Sequence, residues 1–210
     1  MSFTIVSVLG FASSIEVAKP NKAPRTLSGI ELPVDTYTSC IVPWDANTFM
    51  VIGGNPSSSG YTKFSQIVTF LVNLNDNTVT VGPALINARF RHACSEMTVN
   101  GEEFIVVTGG LPVKQSTEYL SKASFNDGWK EGADLPVPLH DHQMVSSPDK
   151  QYVYTIGNDE TSYNKDIYKY SCNGDITQCG WTKIETQPHY GRERFVAFAI
   201  PDSLANKLCE

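Results

Sequence analysis

The chain has 210 residues, 41% of them hydrophobic and 18% charged, with a formal net charge of −6. That composition suits a compact folded chain rather than a disordered one, and the acidic balance argues against nucleic acid, whose phosphates require a basic face. No apolar run approaches the ~18 residues that span a bilayer as a helix, so no membrane partner is expected.

The first predicted element is "FTIVSVLGF" (3–11), a bulky apolar run that stops on Gly10. The opening residues also have the length of a short signal peptide, but they lack Lys or Arg in the n-region; a strand is preferred and the signal peptide stays as the alternative. The same design returns as "NTFMVIGGN" (47–55), "FIVVTGG" (104–110) and "QYVYTIGND" (151–159). The leading glycines Gly10, Gly53, Gly109 and Gly157 stand 43, 56 and 48 residues apart (53−10, 109−53, 157−109). A second marker keeps nearly the same step: Leu32, Leu85, Leu135 and Gln187 are 53, 50 and 52 apart (85−32, 135−85, 187−135). Two markers with one period near 50 define a repeat array.

The clearest unit covers 88–139. "RHACSEMTV" alternates in character and runs into the "NGEE" turn, the signature of a hairpin. "FIVVT" follows as a buried strand, "TEYLSKASF" (117–125) as a third, and "GWKEGADLP" (128–136) as a fourth. The next unit repeats the plan with "DHQMVSS", "QYVYTI", "DIYKYSC" and "GWTKIETQP". Four short antiparallel strands per unit predict an all-β chain, with repeats at about 1–37, 38–86, 87–137 and 138–187, a closing strand at 188–201 and a tail at 202–210.

A strand, a glycine pair, a tyrosine-bearing strand and a tryptophan-bearing strand together resemble the kelch repeat. The residues that carry this are Gly109, Gly110, Tyr119 and Trp129 in one unit, and Gly157, Tyr168 or Tyr170, and Trp181 in the next. The unit at 38–86 keeps Gly53 and Gly54 but has Val79 in the tryptophan position, and the N-terminal unit keeps only Gly10. With "RHAC" and "C-x6-C-G-W", the chain is similar to secreted kelch proteins of invertebrates. The resemblance implies a β-propeller of about four four-stranded blades in a single domain, 1–210. "RFVAFAIP" (194–201) would then pair with the N-terminal strand to close the ring. The alternatives are part of a six-bladed propeller, or a half-ring completed by a second copy, so monomer and homodimer both stand.

Five cysteines form an odd set. Cys172 and Cys179 flank a turn-forming hexapeptide and are expected to form a disulfide; Cys40 and Cys94 are expected as reduced core thiols. An extracellular home is favoured, with the cytoplasm as the alternative. No G-x-S-x-G, P-loop, H-E-x-x-H or EF-hand sequence is present. His140-x-His142 with His189 is the best metal candidate, but histidines at the entry to a strand are the preferred reading, and no metal or other cofactor is assigned. The resemblance implies a non-catalytic module that binds a protein partner, with a propeller enzyme acting on a carbohydrate or small molecule as the alternative. Partner-binding residues are sought in the loops: Arg89, Arg91, His140, His142, Arg192 and Arg194 before the first strands, and Lys114 and Gln115 after a second strand. Arginine forks in such a set suit an acidic segment of the partner.

Overall fold

The computed structural model describes residues 5–9, 14–18, 23, 25–56, 65–112, 115–157, 166–185, 197 and 199. The chain divides into two compact units, Met1–Phe90 and Arg91–Glu210. Among the described residues every strand belongs to one of four antiparallel sheets, each lying inside one of the predicted repeats. Among the described residues helix is confined to two single 3-10 turns.

In the first unit, β1 (Ile5–Leu9), β2 (Ser14–Ala18) and β3 (Arg25–Glu31) form a three-stranded sheet. A second sheet runs β4 (Cys40–Pro43), β5 (Thr48–Ile52), β6 (Thr69–Asn73), β7 (Thr78–Val81) in chain order. The first hairpin of that sheet closes on Asp45, whose carboxylate accepts from the N–H groups of Asn47 and Thr48 at 2.8 Å each, an Asx arrangement that pre-forms the turn. One face of β5 and β6 carries Phe49, Val51, Phe70 and Val72. These pack with Ile15 and Ile30 of the three-stranded sheet and with Leu32 just after it in an apolar core, with Val79 at its margin.

In the second unit the order is β11-β10-β9-β8 for β8 (Ala93–Val99), β9 (Glu102–Thr108), β10 (Thr117–Ser121) and β11 (Lys130–Glu131). The last sheet runs β12 (Gln143–Ser146), β13 (Val153–Ile156), β14 (Ile167–Cys172), β15 (Cys179–Ile184). The β8–β9 turn is Asn100-Gly101 with φ of 52° and 81°, the paired positive φ that matches the right-handed twist of a two-residue hairpin. Met97, Val99, Phe104, Val106 and Tyr119 of one sheet meet Met144, Val153, Tyr170 and Cys179 of the other. Polar tips pin this core. Trp181 lies against Tyr170 with ring centroids 4.7 Å apart, and its Nε1 donates to Thr117 Oγ1 and to the Ala133 carbonyl, both at 3.1 Å. Burial pushes the Tyr170 hydroxyl up to about 12, so it stays protonated at any physiological pH.

The glycine pairs do two things. Gly53 and Gly109 lie at φ of 59° and 63°, in the left-handed region that side chains disfavour. A Cβ on Gly109 would also stand 2.5 Å from the Leu139 carbonyl oxygen and 2.7 Å from the His142 ring, so the glycine is needed for close approach as well. The second glycine of each pair then donates its N–H forward: Gly54 to Arg89 O at 2.9 Å, Gly110 to Leu139 O at 2.8 Å.

Several details differ from the sequence reading. The third strand ends at Ser121 and the chain passes through a 3-10 turn at Phe125–Asp127, leaving a fourth strand of only two residues. Tyr119 is not the counterpart of Tyr168 or Tyr170. Thr117 and Ile167 both pair with the residue just before the glycine, Thr108 and Ile156, which aligns Tyr119 with Lys169 and Leu120 with Tyr170. The loop before β14 is longer, and strand pairing, not residue counting, sets register. Cys172 and Cys179 are disulfide-bonded as expected, directly opposite each other across β14 and β15. Cys40 and Cys94, however, are not reduced thiols: both are disulfide-bonded. They also sit one place apart in register, since the counterpart of Cys40 opposite Ile52 is Ala93 opposite Thr108. The expected closing strand lies outside the described residues except for Ala197 and Ala199, neither of which is in a strand.

Candidate functional site

Each first strand of the three four-stranded sheets is entered through a kink two residues earlier. Thr38, Arg91 and Asp141 have φ of 56°, 55° and 51°, all non-glycine residues in the left-handed region. Such a conformation is held by its surroundings rather than by intrinsic preference. Two residues further back is a buried position: Thr36, Arg89 and Leu139 are 1%, 0% and 1% exposed. It is the carbonyl at this position, in Arg89 and Leu139, that takes the forward hydrogen bond from Gly54 or Gly110. The linkers are therefore anchored from beneath by the glycine pairs.

In the second unit two kinks meet. The Asp141 N–H donates to Arg91 O at 2.9 Å, and the Asp141 carboxylate accepts from Arg91 Nη1 and lies against His140 Nδ1, both at 3.2 Å. All three side chains are partly exposed. The positive φ at Asp141 sends its neighbours to different surroundings. His140 stays with the carboxylate, while His142 turns inward against Gly109 and is buried. His140 and His142 thus lack the common strand face that i, i+2 chelation would use, because β12 begins only at Gln143.

The other candidate residues divide as follows. Arg89 is fully buried in the first unit and contributes no fork to a solvent face. Gln115 is exposed, but its amide donates to the Leu135 carbonyl at 3.0 Å and ties down its own loop. Lys114, Arg192, Arg194 and His189 lie outside the described residues. Among the described residues no group of three or more His, Cys, Asp or Glu is placed to hold a metal ion.

A second polar cluster lies on β8. Glu96 bridges Lys122 Nζ at 2.7 Å and Lys150 Nζ at 2.8 Å, and Lys122 also reaches Glu103 at 3.1 Å. Burial pushes the Glu96 carboxyl up, but the hydrogen bonds and charges of Lys122 and Lys150 outweigh it and hold the pKa below 4.5. Nearby, Ser95 Oγ and Ser146 Oγ are 2.6 Å apart, and the Thr98 N–H donates to Lys150 O at 2.7 Å. This cluster joins β8 to β12 and the β12–β13 turn, and it reads as architecture.

The kinks and the buried position between marker and kink were both missed from sequence. One signal for the latter was present. Counting four residues from each marker leucine (32+4, 85+4, 135+4) arrives at Thr36, Arg89 and Leu139, which assigns Arg89 to a core position. No family model matches the chain, and no curated protein matches it.

Proposed function

We propose that the chain is a kelch-type β-propeller module of about four blades, non-catalytic, that binds a protein partner through the linkers entering its first strands. The supporting observation is the Arg91–Asp141–His140 cluster: polar side chains that are mostly buried but keep 13–19% exposure, on kinked backbone whose footing is buried. Loops fixed on a rigid sheet scaffold are where binding residues concentrate. The surface proposed for an acidic segment comprises Arg91 and His140, with Arg192 and Arg194 from the stretch read as the same linker class and Lys114 from the loop after a second strand. Arg89 and His142 are withdrawn from it by their burial. The two disulfides support an oxidising, extracellular compartment.

A poly-glutamate peptide tests the reading directly. Binding should weaken as salt rises, because partly exposed charges are screened over ~8 Å at physiological ionic strength. Reversing Arg91 and Arg192 to Glu should slow association while the circular dichroism stays unchanged. Salt-insensitive binding, or equal association rates for variant and wild type, sinks the acidic-segment reading.

A further inference from the structure

Asn-Gly occurs twice in the chain, at 100–101 and at 173–174. Asparagine is thermolabile, and a following glycine leaves its main-chain nitrogen open to the carboxamide because no Cβ shields it. The fold sets the two copies side by side in the second unit. All four residues are exposed, so access to water does not distinguish them. Their bonding does.

Asn100-Gly101 is the whole of the β8–β9 turn, closed by the direct pairing of Val99 with Glu102. The Asn100 carboxamide donates through Nδ2 to the Gly174 carbonyl at 3.0 Å. To turn onto the Gly101 nitrogen it has to leave both that bond and the hairpin geometry. Asn173-Gly174 lies instead in the connection between β14 and β15. The Asn173 N–H makes a long bond to Gln178 O, 3.3 Å. Among the described residues nothing bonds the Asn173 carboxamide or the Gly174 N–H. Gly174 has φ of +109°, and a Cβ there would stand 3.0 Å from Gln178 Oε1, so the place requires the residue that leaves the nitrogen open. Gly174 therefore has two parts to play: its nitrogen is the nucleophile beside Asn173, and its carbonyl restrains Asn100.

We propose that Asn173 is a site of spontaneous deamidation and isomerisation, and that its conversion releases Asn100 to follow. The Gly174 nitrogen gives up its proton to water and attacks Asn173 Cγ. The new C–N bond closes a succinimide ring, the Cγ–Nδ2 bond breaks, and the amide nitrogen leaves as ammonia. Water then opens either ring carbonyl to give aspartate or isoaspartate; nothing is oxidised or reduced. Isoaspartate routes the main chain through the former side chain, which lengthens the backbone by one carbon and displaces the Gly174 carbonyl from Asn100. The product also places a new negative charge two residues from Asp175, whose carboxylate accepts from the Thr177 N–H at 2.8 Å.

The test incubates the full chain, disulfides intact, in mildly alkaline buffer, with peptide mapping that resolves asparagine, aspartate and isoaspartate. Asn173 should convert first, faster than Asn100 by several-fold to about tenfold, the factor set by one net hydrogen bond. In the reduced, denatured chain the two rates should converge. Asn173→Gln, which removes the first step without touching the Asn100 turn, should leave Asn100 unconverted over the same period. Conversion of Asn100 first, or at an undiminished rate in Asn173→Gln, would overturn the proposal. So would an intact Asn173 in folded protein after the denatured chain has converted. The same rate difference in the denatured chain would also overturn it, because the order would then owe nothing to the fold.

Discussion

In the first unit, the apolar core between a four-stranded sheet and its neighbour sets Phe49, Val51, Phe70 and Val72 with Ile15, Ile30 and Leu32, aliphatic and phenyl groups without a polar tip. In the second unit the corresponding contact places Tyr170 where Val72 stands and Trp181 where Val79 stands. A polar tip, the Trp181 indole N–H, is thereby carried against the core and has to be satisfied there. The Trp181 indole meets this need by bonding Thr117 and Ala133. Apolar contacts supply burial without direction, whereas a buried donor tolerates only one register. The second contact is accordingly the one that specifies how its two sheets align.

Trp181→Ala tests this most severely. It removes the ring stacked on Tyr170 and both indole bonds, and should destabilise the second unit by about 3–5 kcal/mol in denaturant unfolding. Truncation at the counterpart, Val79→Ala, should cost only about 1–2 kcal/mol. Trp181→Phe separates the two contributions. It keeps most of the area but leaves Thr117 and Ala133 without the donor, for a loss of about 1–2 kcal/mol. Equal losses for Trp181→Ala and Val79→Ala would remove the distinction between the units.

A second break falls on the glycines. Gly109→Ala should cost about 3 kcal/mol, since it combines left-handed strain with a Cβ driven into Leu139 O and the His142 ring. Gly29→Ala, at φ +87° with open space around it, should show only the strain, about 1 kcal/mol. If both cost the same, close approach is not what the glycine at 109 serves.

These positions also show what could be read from the sequence. The repeat, the four sheets and the strand–glycine–glycine endings were visible because each rests on a local rule: apolar runs, turn residues and a period. The buried state of Arg89 was not. An arginine reads as surface unless its place in the repeat is counted from Leu85. The kinks at Thr38, Arg91 and Asp141 were equally hidden, since Thr and Arg carry no preference for positive φ and only their surroundings impose it. Tyr119 was misaligned for a third reason: loop length varies while pairing register does not.

The Cys172–Cys179 bond closes a loop of eight residues (179−172+1) at the outer edge of the tryptophan-pinned contact. In the chain-entropy model it contributes about 2.5 kcal/mol. Cys172→Ser with Cys179→Ser should lose about that amount, read from denaturant midpoints, and should leave the first unit's unfolding unchanged. A loss that spreads equally over both units would show that the bond's effect is not confined to the second unit. Without reductant, alkylation should also miss Cys40 and Cys94 in the wild type, because both are disulfide-bonded.

The smallest effect concerns pH and again distinguishes the units. Glu96, clasped by Lys122 and Lys150, has its folded pKa held below 4.5. A depressed carboxyl binds its proton less readily in the folded chain than in the unfolded one. Its contribution is therefore full above about pH 4.5 and is lost as pH falls through the folded value. The second unit should weaken on acidification from about pH 4.5 downward, and Glu96→Gln should flatten that slope while costing some stability at neutral pH. Glu96 and both its lysines belong to the second unit, so the first unit's acid profile should be insensitive to the substitution. Denaturant midpoints measured from pH 7 to pH 3 decide it. A slope that survives Glu96→Gln undiminished assigns the acid sensitivity to other carboxylates and leaves the β8 cluster without a role in it.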